Sequence, residues 1–124
     1  MYQLKHIGLQ VAEKDVQDFY QEVLDFKQEN TFVLPKEDAF EIFQIAVDIQ
    51  IIYGNCHGIP LELFVYDNPL NRSFSHVCIT VADTQAVVEK ARQKGYQTCV
   101  RRKHQKETFL IQDSQHHIFE IKNQ

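Results

Sequence analysis

One stretch of this 124-residue chain is repeated 70 positions further on. His6 matches His76, Ile7 matches Val77, Leu9 matches Ile79, Val11 matches Val81, Ala12 matches Ala82 and Phe26 matches Tyr96. Six like pairs in one register mark two copies of a single supersecondary module, and neither copy can bury its apolar face without the other. Each opens with the period-2 alternation of a strand that has one apolar face. In the first copy Ile7, Leu9 and Val11 share that face against His6, Gly8 and Gln10, and in the second Val77, Ile79 and Val81 oppose His76, Cys78 and Thr80.

Behind each opening strand the period changes. Val16, Phe19, Tyr20, Val23 and Leu24 recur at the spacing of an amphipathic helix. In the second copy Asp83 or Thr84 can cap a helix carrying Ala86, Val87 and Ala91, which Gly95 ends. Further strands are predicted over 26–34, 47–53 and 61–66 in the first copy and near 97–101, 108–112 and 117–122 in the second, with strand 4–11 opening the first and 74–81 the second. Gly54-Asn55 and Gly58 read as the turn closing the third strand. Ala39, Phe40, Ile42, Phe43 and Ala46 fit a short extra helix. Glu62 and Glu120, in the last strands, are separated by 58 positions instead of 70, and the shortfall is about the length of that helix. The fold class is therefore α+β, two βαβββ modules, about 1–68 and 72–124, in one domain spanning 1–124.

The length suits one core. Thirteen Lys and Arg against seventeen Asp and Glu leave a formal charge of −4, so no overall basic field exists to hold nucleic acid or an anionic membrane. No apolar run approaches the roughly 18 residues of a membrane span, and the strand-like opening is unlike a signal peptide. A soluble, cytoplasmic protein is expected. Cys56, Cys78 and Cys99 are odd in number, widely spaced and in no C-x-x-C pair, which predicts free thiols. Arg101-Arg102-Lys103-His104 is a local basic run expected in a solvated hairpin or an anion contact.

His6, Glu62, His76 and Glu120 each interrupt the less apolar face of a strand, at equivalent places in the two modules. If the first and last strands of the modules approach one another, two imidazoles and two carboxylates converge. That donor set suits one divalent ion per site, Zn, Ni, Co, Mn or Fe, with open positions for substrate oxygens if the ion is five- or six-coordinate. Such an ion acidifies a C–H beside a carbonyl while a nearby carboxylate moves the proton. Taken singly, a strand His is usually a hydrogen-bonded structural residue and a strand Glu usually faces water; the fourfold equivalence favours the metal. His57 and His104 read as solvated, and His116, three residues after Asp113 and on the alternation of Glu120, is a further candidate ligand without a counterpart in the repeat.

These residues resemble the vicinal oxygen chelate superfamily, which includes glyoxalase I, methylmalonyl-CoA epimerase and the fosfomycin- and bleomycin-resistance proteins. The resemblance rests on Lys5-His6-Ile7-Gly8-Leu9-Gln10-Val11, Asp18-Phe19-Tyr20, Val23-Leu24-Asp25-Phe26, Leu61-Glu62-Leu63, Ser75-His76-Val77 and Phe119-Glu120-Ile121. It implies paired modules forming a curved mixed sheet around a metal, with His6, Glu62, His76 and Glu120 as ligands. A Glu at position 62 is closer to the glyoxalase and epimerase branches. Gln10 and Tyr66 stand where bacterial glyoxalase I has an Arg and an Asn that hold glutathione, and Asp113-Ser114-Gln115-His116 replaces the usual Asp-Pro-Asp-Gly turn.

The expected function is a metal-dependent, glyoxalase-like lyase or isomerase acting on a small oxygen-rich carbonyl compound other than a glutathione conjugate. Glu62 or Glu120 would shuttle the proton, and the resemblance implies a homodimer. The alternative is a module that sequesters an organic ligand among Phe64, Tyr66 and Phe74 without transforming it.

Overall fold

A computed structural model describes all residues, 1–124. The first module comprises β1 (Ile7–Val11), a helical segment, β2 (Phe26–Leu34), α2 (Lys36–Phe43), β3 (Ile49–Cys56) and β4 (Ile59–Val65). Its helical segment begins as α1 (Glu13–Asp15) and continues as a π-helical turn, Val16–Gln21. The second module comprises β5 (His76–Val81), α3 (Thr84–Gln93), β6 (Gln97–Lys103), β7 (Lys106–Gln112) and β8 (Ile118–Asn123). The expected order of elements holds, including the extra helix in the first module alone.

Each module forms its own four-stranded mixed sheet, in the orders β1-β4-β3-β2 and β5-β8-β7-β6. The first strand of each runs parallel to the last, and the remaining pairs are antiparallel. The parallel pair requires a crossover, which the helix and two strands between them supply. Strands β1 and β5 lie at the sheet margins, and no strand of the same chain pairs with their outer edges.

One core serves both sheets. Leu9, Val11, Leu61 and Leu63 from the first sheet and Phe109, Ile111, Phe119 and Ile121 from the second close it together with Phe19, Tyr20, Val88 and Ala91 of the helices. Phe19 makes edge-on contacts with Tyr20 and Tyr96, at centroid distances of 5.0 and 4.9 Å. Such pairs add about 0.5–1.5 kcal/mol each beyond the burial of apolar area. The modules are also joined by buried hydrogen bonds. The Asp15 carboxylate accepts from the Tyr96 hydroxyl at 2.7 Å and from the Ser114 amide at 2.8 Å, and Tyr20 donates to Asp113 at 2.7 Å.

Several boundaries differ from expectation for identifiable reasons. The first helix buries Phe19, Tyr20, Val23 and Leu24 as its periodicity predicts, but it is wound wider. The amides of Glu22 and Leu24 bond to the carbonyls five residues back, on Gln17 and Phe19. Gly54-Asn55 is not a turn, because β3 runs through both to Cys56 and the reversal is at His57-Gly58, each with positive φ. Gly54 serves a close approach instead: a Cβ there would lie 2.1 Å from the Lys27 carbonyl oxygen. Residues 4–6 and 74–75 precede their strands. Asp83 caps α3 as expected, its side chain accepting from the Ala86 amide at 3.1 Å.

Candidate metal centre

The two sheets place their polar intruders by the same rule. In the β1/β4 ladder Gly8 lies opposite Glu62, and in the β5/β8 ladder Cys78 lies opposite Glu120. The histidine sits two residues before that rung in both cases, hence on the same face as the glutamate. Apolar residues at 7, 9 and 11 and at 77, 79 and 81 turn toward the core and send His6 and His76 to the opposite faces.

Each module consequently holds one His/Glu pair. His6 Nε2 lies 3.8 Å from Glu62 Oε2, and His76 Nε2 lies 3.7 Å from Glu120 Oε1. Both pairs are partly exposed. Two donors bound about 2.1 Å from one ion stand about 3–3.5 Å apart, so each pair is near the spacing of two adjacent ligands. Around His76 the ring is also oriented. Its Nδ1 is 2.9 Å from the Phe74 carbonyl oxygen, a contact that needs a proton on Nδ1 and leaves the Nε2 lone pair free for a ligand. His6 packs edge-on to Tyr53 at a centroid distance of 6.5 Å. The Lys122 ammonium is 3.8 Å from the second oxygen of Glu120.

The chain brings His6 to Glu62 and His76 to Glu120 but does not bring the four together. No group of three or more His, Cys, Asp or Glu side chains is placed to hold an ion. The donor chemistry of each pair fits half a divalent-metal site.

The other candidate residues fall elsewhere. His116 lies in the turn before β8, with a φ of +70°, outside the strand that carries Glu120. His117 Nε2 is 2.6 Å from the Gln10 carbonyl oxygen and ties the two modules. His57 lies 2.7 Å from Asp25, and His104 is in the β6/β7 reversal. In that hairpin Arg102 pairs with Glu107 at 2.9 Å. The three cysteines are free, Cys56 buried and Cys78 and Cys99 exposed. Burial pushes the Cys56 thiol up to about 12.

Beside the first His/Glu pair lies a feature the sequence reading missed. Helix α2 folds over the same face of its sheet and leaves an apolar cavity of about 200 Å³ lined by Gly8, Ala39, Phe43, Ile45, Ile49 and Phe64, among others. The spacing of Ala39 and Phe43 signalled a helix, but not which sheet face it covers. Tyr66 also lines the cavity, whereas Phe74 is fully exposed and takes no part in it.

No helix is long and apolar enough to cross a membrane. No curated protein matches the sequence. Solved structures match over nearly the whole chain and show the fold. The fosfomycin resistance protein FosX from Listeria monocytogenes superposes with a TM-score of 0.75 at 15% identity, covering 100% of this chain and 94% of that one. FosX from Mesorhizobium loti gives 0.71 at 15% identity, with 100% and 93% covered. A glyoxalase family protein from Enterococcus faecalis gives 0.71 at 16% identity, with 96% and 95% covered. One Listeria FosX structure is a complex with Mn(II) and 1S,2S-dihydroxypropylphosphonic acid. Residues 3–121 match the sequence profile of one family, so this chain, with its twinned modules and twinned His/Glu pairs, belongs to the Glyoxalase/Bleomycin resistance protein/Dioxygenase superfamily.

Proposed function

We propose that the protein is a divalent-metal-dependent lyase or isomerase that moves a proton on a small oxygen-rich carbonyl substrate, and that it works as a homodimer. The observation that carries this reading is the shared register of the two pairs, His6/Glu62 and His76/Glu120, each at the spacing of two ligands to a common ion. The pairs lie on sheets whose margins, β1 and β5, have free edges. Joining the β1 margin of one subunit to the β5 margin of another would bring one pair of each kind together, twice per dimer. Exposure of β5 supports this. Val77, Ile79 and Val81 remain only partly buried although they form that strand's core face, whereas Leu9 and Val11 of β1 are covered.

The ion, Zn, Ni, Co, Mn or Fe, would act as a Lewis acid toward vicinal substrate oxygens. His6 and His76 would bind it through neutral imidazole. Glu62 and Glu120 would contribute carboxylates, and one of them would take the proton from the carbon beside the carbonyl and return it to the neighbouring position. Gln10 donates its side-chain amide to the Asn68 carbonyl oxygen at 2.7 Å and is committed within the chain, which supports a substrate other than a glutathione conjugate. The apolar cavity favours a second reading, in which the protein sequesters an organic ligand without transforming it.

Titrating nickel, cobalt and zinc into chelator-stripped protein tests the first reading. One ion should bind per chain, and His76→Ala should abolish it. The loaded protein should exchange deuterium into the carbon beside the carbonyl in a panel of α-hydroxycarbonyl compounds and acyl thioesters. Unaltered metal binding in the variant would remove the reading, and ligand binding indifferent to chelator would favour sequestration.

A further inference from the structure

We infer that the substrate carries a compact apolar substituent, a phenyl ring or a branched alkyl chain, and that it seats in the cavity beneath α2; the assignment to a substrate rests on the metal-site reading above. The cavity and the His6/Glu62 pair share one face of one sheet. Gly8 follows His6 by two residues and lies opposite Glu62, and Phe64 follows Glu62 by two, which sets the cavity about 5–7 Å from the pair. A group bonded one or two atoms beyond a chelating oxygen pair reaches that far. The volume, about 200 Å³, admits one ring or branched chain. It is below the roughly 300–1,000 Å³ of pockets that take a whole drug-sized ligand, so the cavity suits part of a substrate.

Its walls are apolar for structural reasons. Ala39 and Ile49 are buried, and Phe43 meets Phe64 edge-on at 5.3 Å. Gly8 has no side chain to occupy the floor; a Cβ there would already stand 3.2 Å from the Phe64 ring. Gln10 reaches the wall, but its amide nitrogen is engaged with Asn68 and lies 3.3 Å from Gln115 Oε1. Tyr66 brings a hydroxyl to the same wall.

The second module has no helix equivalent to α2, which gives the cleft direction. Lys122 occupies the position equivalent to Phe64, two residues after Glu120. A substrate held between one module of each kind therefore meets an apolar wall on one side and an ammonium group on the other. Burying a phenyl or branched alkyl group in such a cavity strengthens binding by about tenfold to a hundredfold over the methyl homologue.

The test uses hydroxamates, which chelate through two oxygens and differ only in substituent: acetohydroxamate, isobutyrohydroxamate and benzohydroxamate. Calorimetry on the cobalt-loaded protein should show the two larger compounds binding at least about tenfold more tightly than acetohydroxamate. Phe43→Ala opens the cavity at a partly exposed position, and Ile45→Trp fills it. Either should reduce the preference to within about threefold while acetohydroxamate binds as before. In metal-free protein, benzyl alcohol should shift the amide resonances of Gly8, Ala39 and Ile45. A preference unchanged in both variants, or the absence of those shifts, would overturn the assignment. Benzyl alcohol shifts without any metal-dependent hydroxamate binding would support the cavity as the apolar subsite and instead sink the metal-site reading.

Discussion

The hydroxyl of Tyr20, in the helical segment of the first module, donates a 2.7 Å hydrogen bond to Oδ2 of Asp113, in the turn before the last strand of the second. Both groups are buried. Oδ1 of the same carboxylate accepts from the amides of Gln115 and His117 at 3.0 and 2.8 Å, so Asp113 shapes its own turn while anchoring the other module. Tyr20→Phe should strand one carboxylate oxygen without water or partner and cost about 1–3 kcal/mol, read from urea unfolding of wild type and variant.

The same carboxylate should make stability depend on pH. Removal from water pushes the Asp113 carboxyl above its ordinary value of 3.8, although the bond from Tyr20 opposes the shift. The folded chain therefore retains this proton to higher pH than the unfolded chain. The Asp113 contribution is largest below 3.8 and declines as pH rises through the window between 3.8 and the raised native value. Unfolding wild type and Asp113→Asn across that window should show the wild type losing ground relative to the variant as pH rises, then a constant difference. A difference growing with pH would contradict the burial argument.

Complementation separates a site shared by two subunits from one built within a chain. His6→Ala and His76→Ala should each abolish metal binding in their own homodimers. A purified heterodimer of the two variants holds one site with both defects and one with none, so it should bind half the wild-type amount, measured by equilibrium dialysis. An intrachain site predicts none.

Thiol chemistry should follow burial. Cys99 is exposed on β6, away from the β5 margin, and should react rapidly with a disulfide reagent at pH 8. Cys56 is covered, and burial with the nearby Asp25 charge holds its thiol near 12, so it should react only on unfolding.

Gly54 admits no side chain. An added Cβ would fall 2.1 Å from the Lys27 carbonyl oxygen and 2.7 Å from the Phe26 ring, which the β2/β3 pairing cannot relieve without parting. Gly54→Ala should destabilise by about 3 kcal/mol or more, visible as a lowered Tm.

Alternating and helical periods at 7–11, 16–24 and 77–81 were legible because each strand or helix must bury one face, and the offset between His6 and His76 exposed the duplication. The equivalence of Glu62 and Glu120 followed from counting residues, and the ladders place both on the rung two beyond their histidines. Gly54 misled for a physical reason. A glycine needed for positive φ and a glycine needed for close approach are the same letter, and only the position of Lys27 across the ladder distinguishes them.

Local pattern thus determines the elements, the module and the identity of the candidate ligands, because side-chain periodicity is a property of consecutive residues. Tertiary structure alone decided that the two His/Glu pairs stay apart within one chain, that α2 closes a cavity beside the first, and that Asp15, Tyr20, Tyr96 and Asp113 bind the modules together. Those outcomes depend on groups distant in sequence competing for the same buried space, and no local pattern records which of them meet.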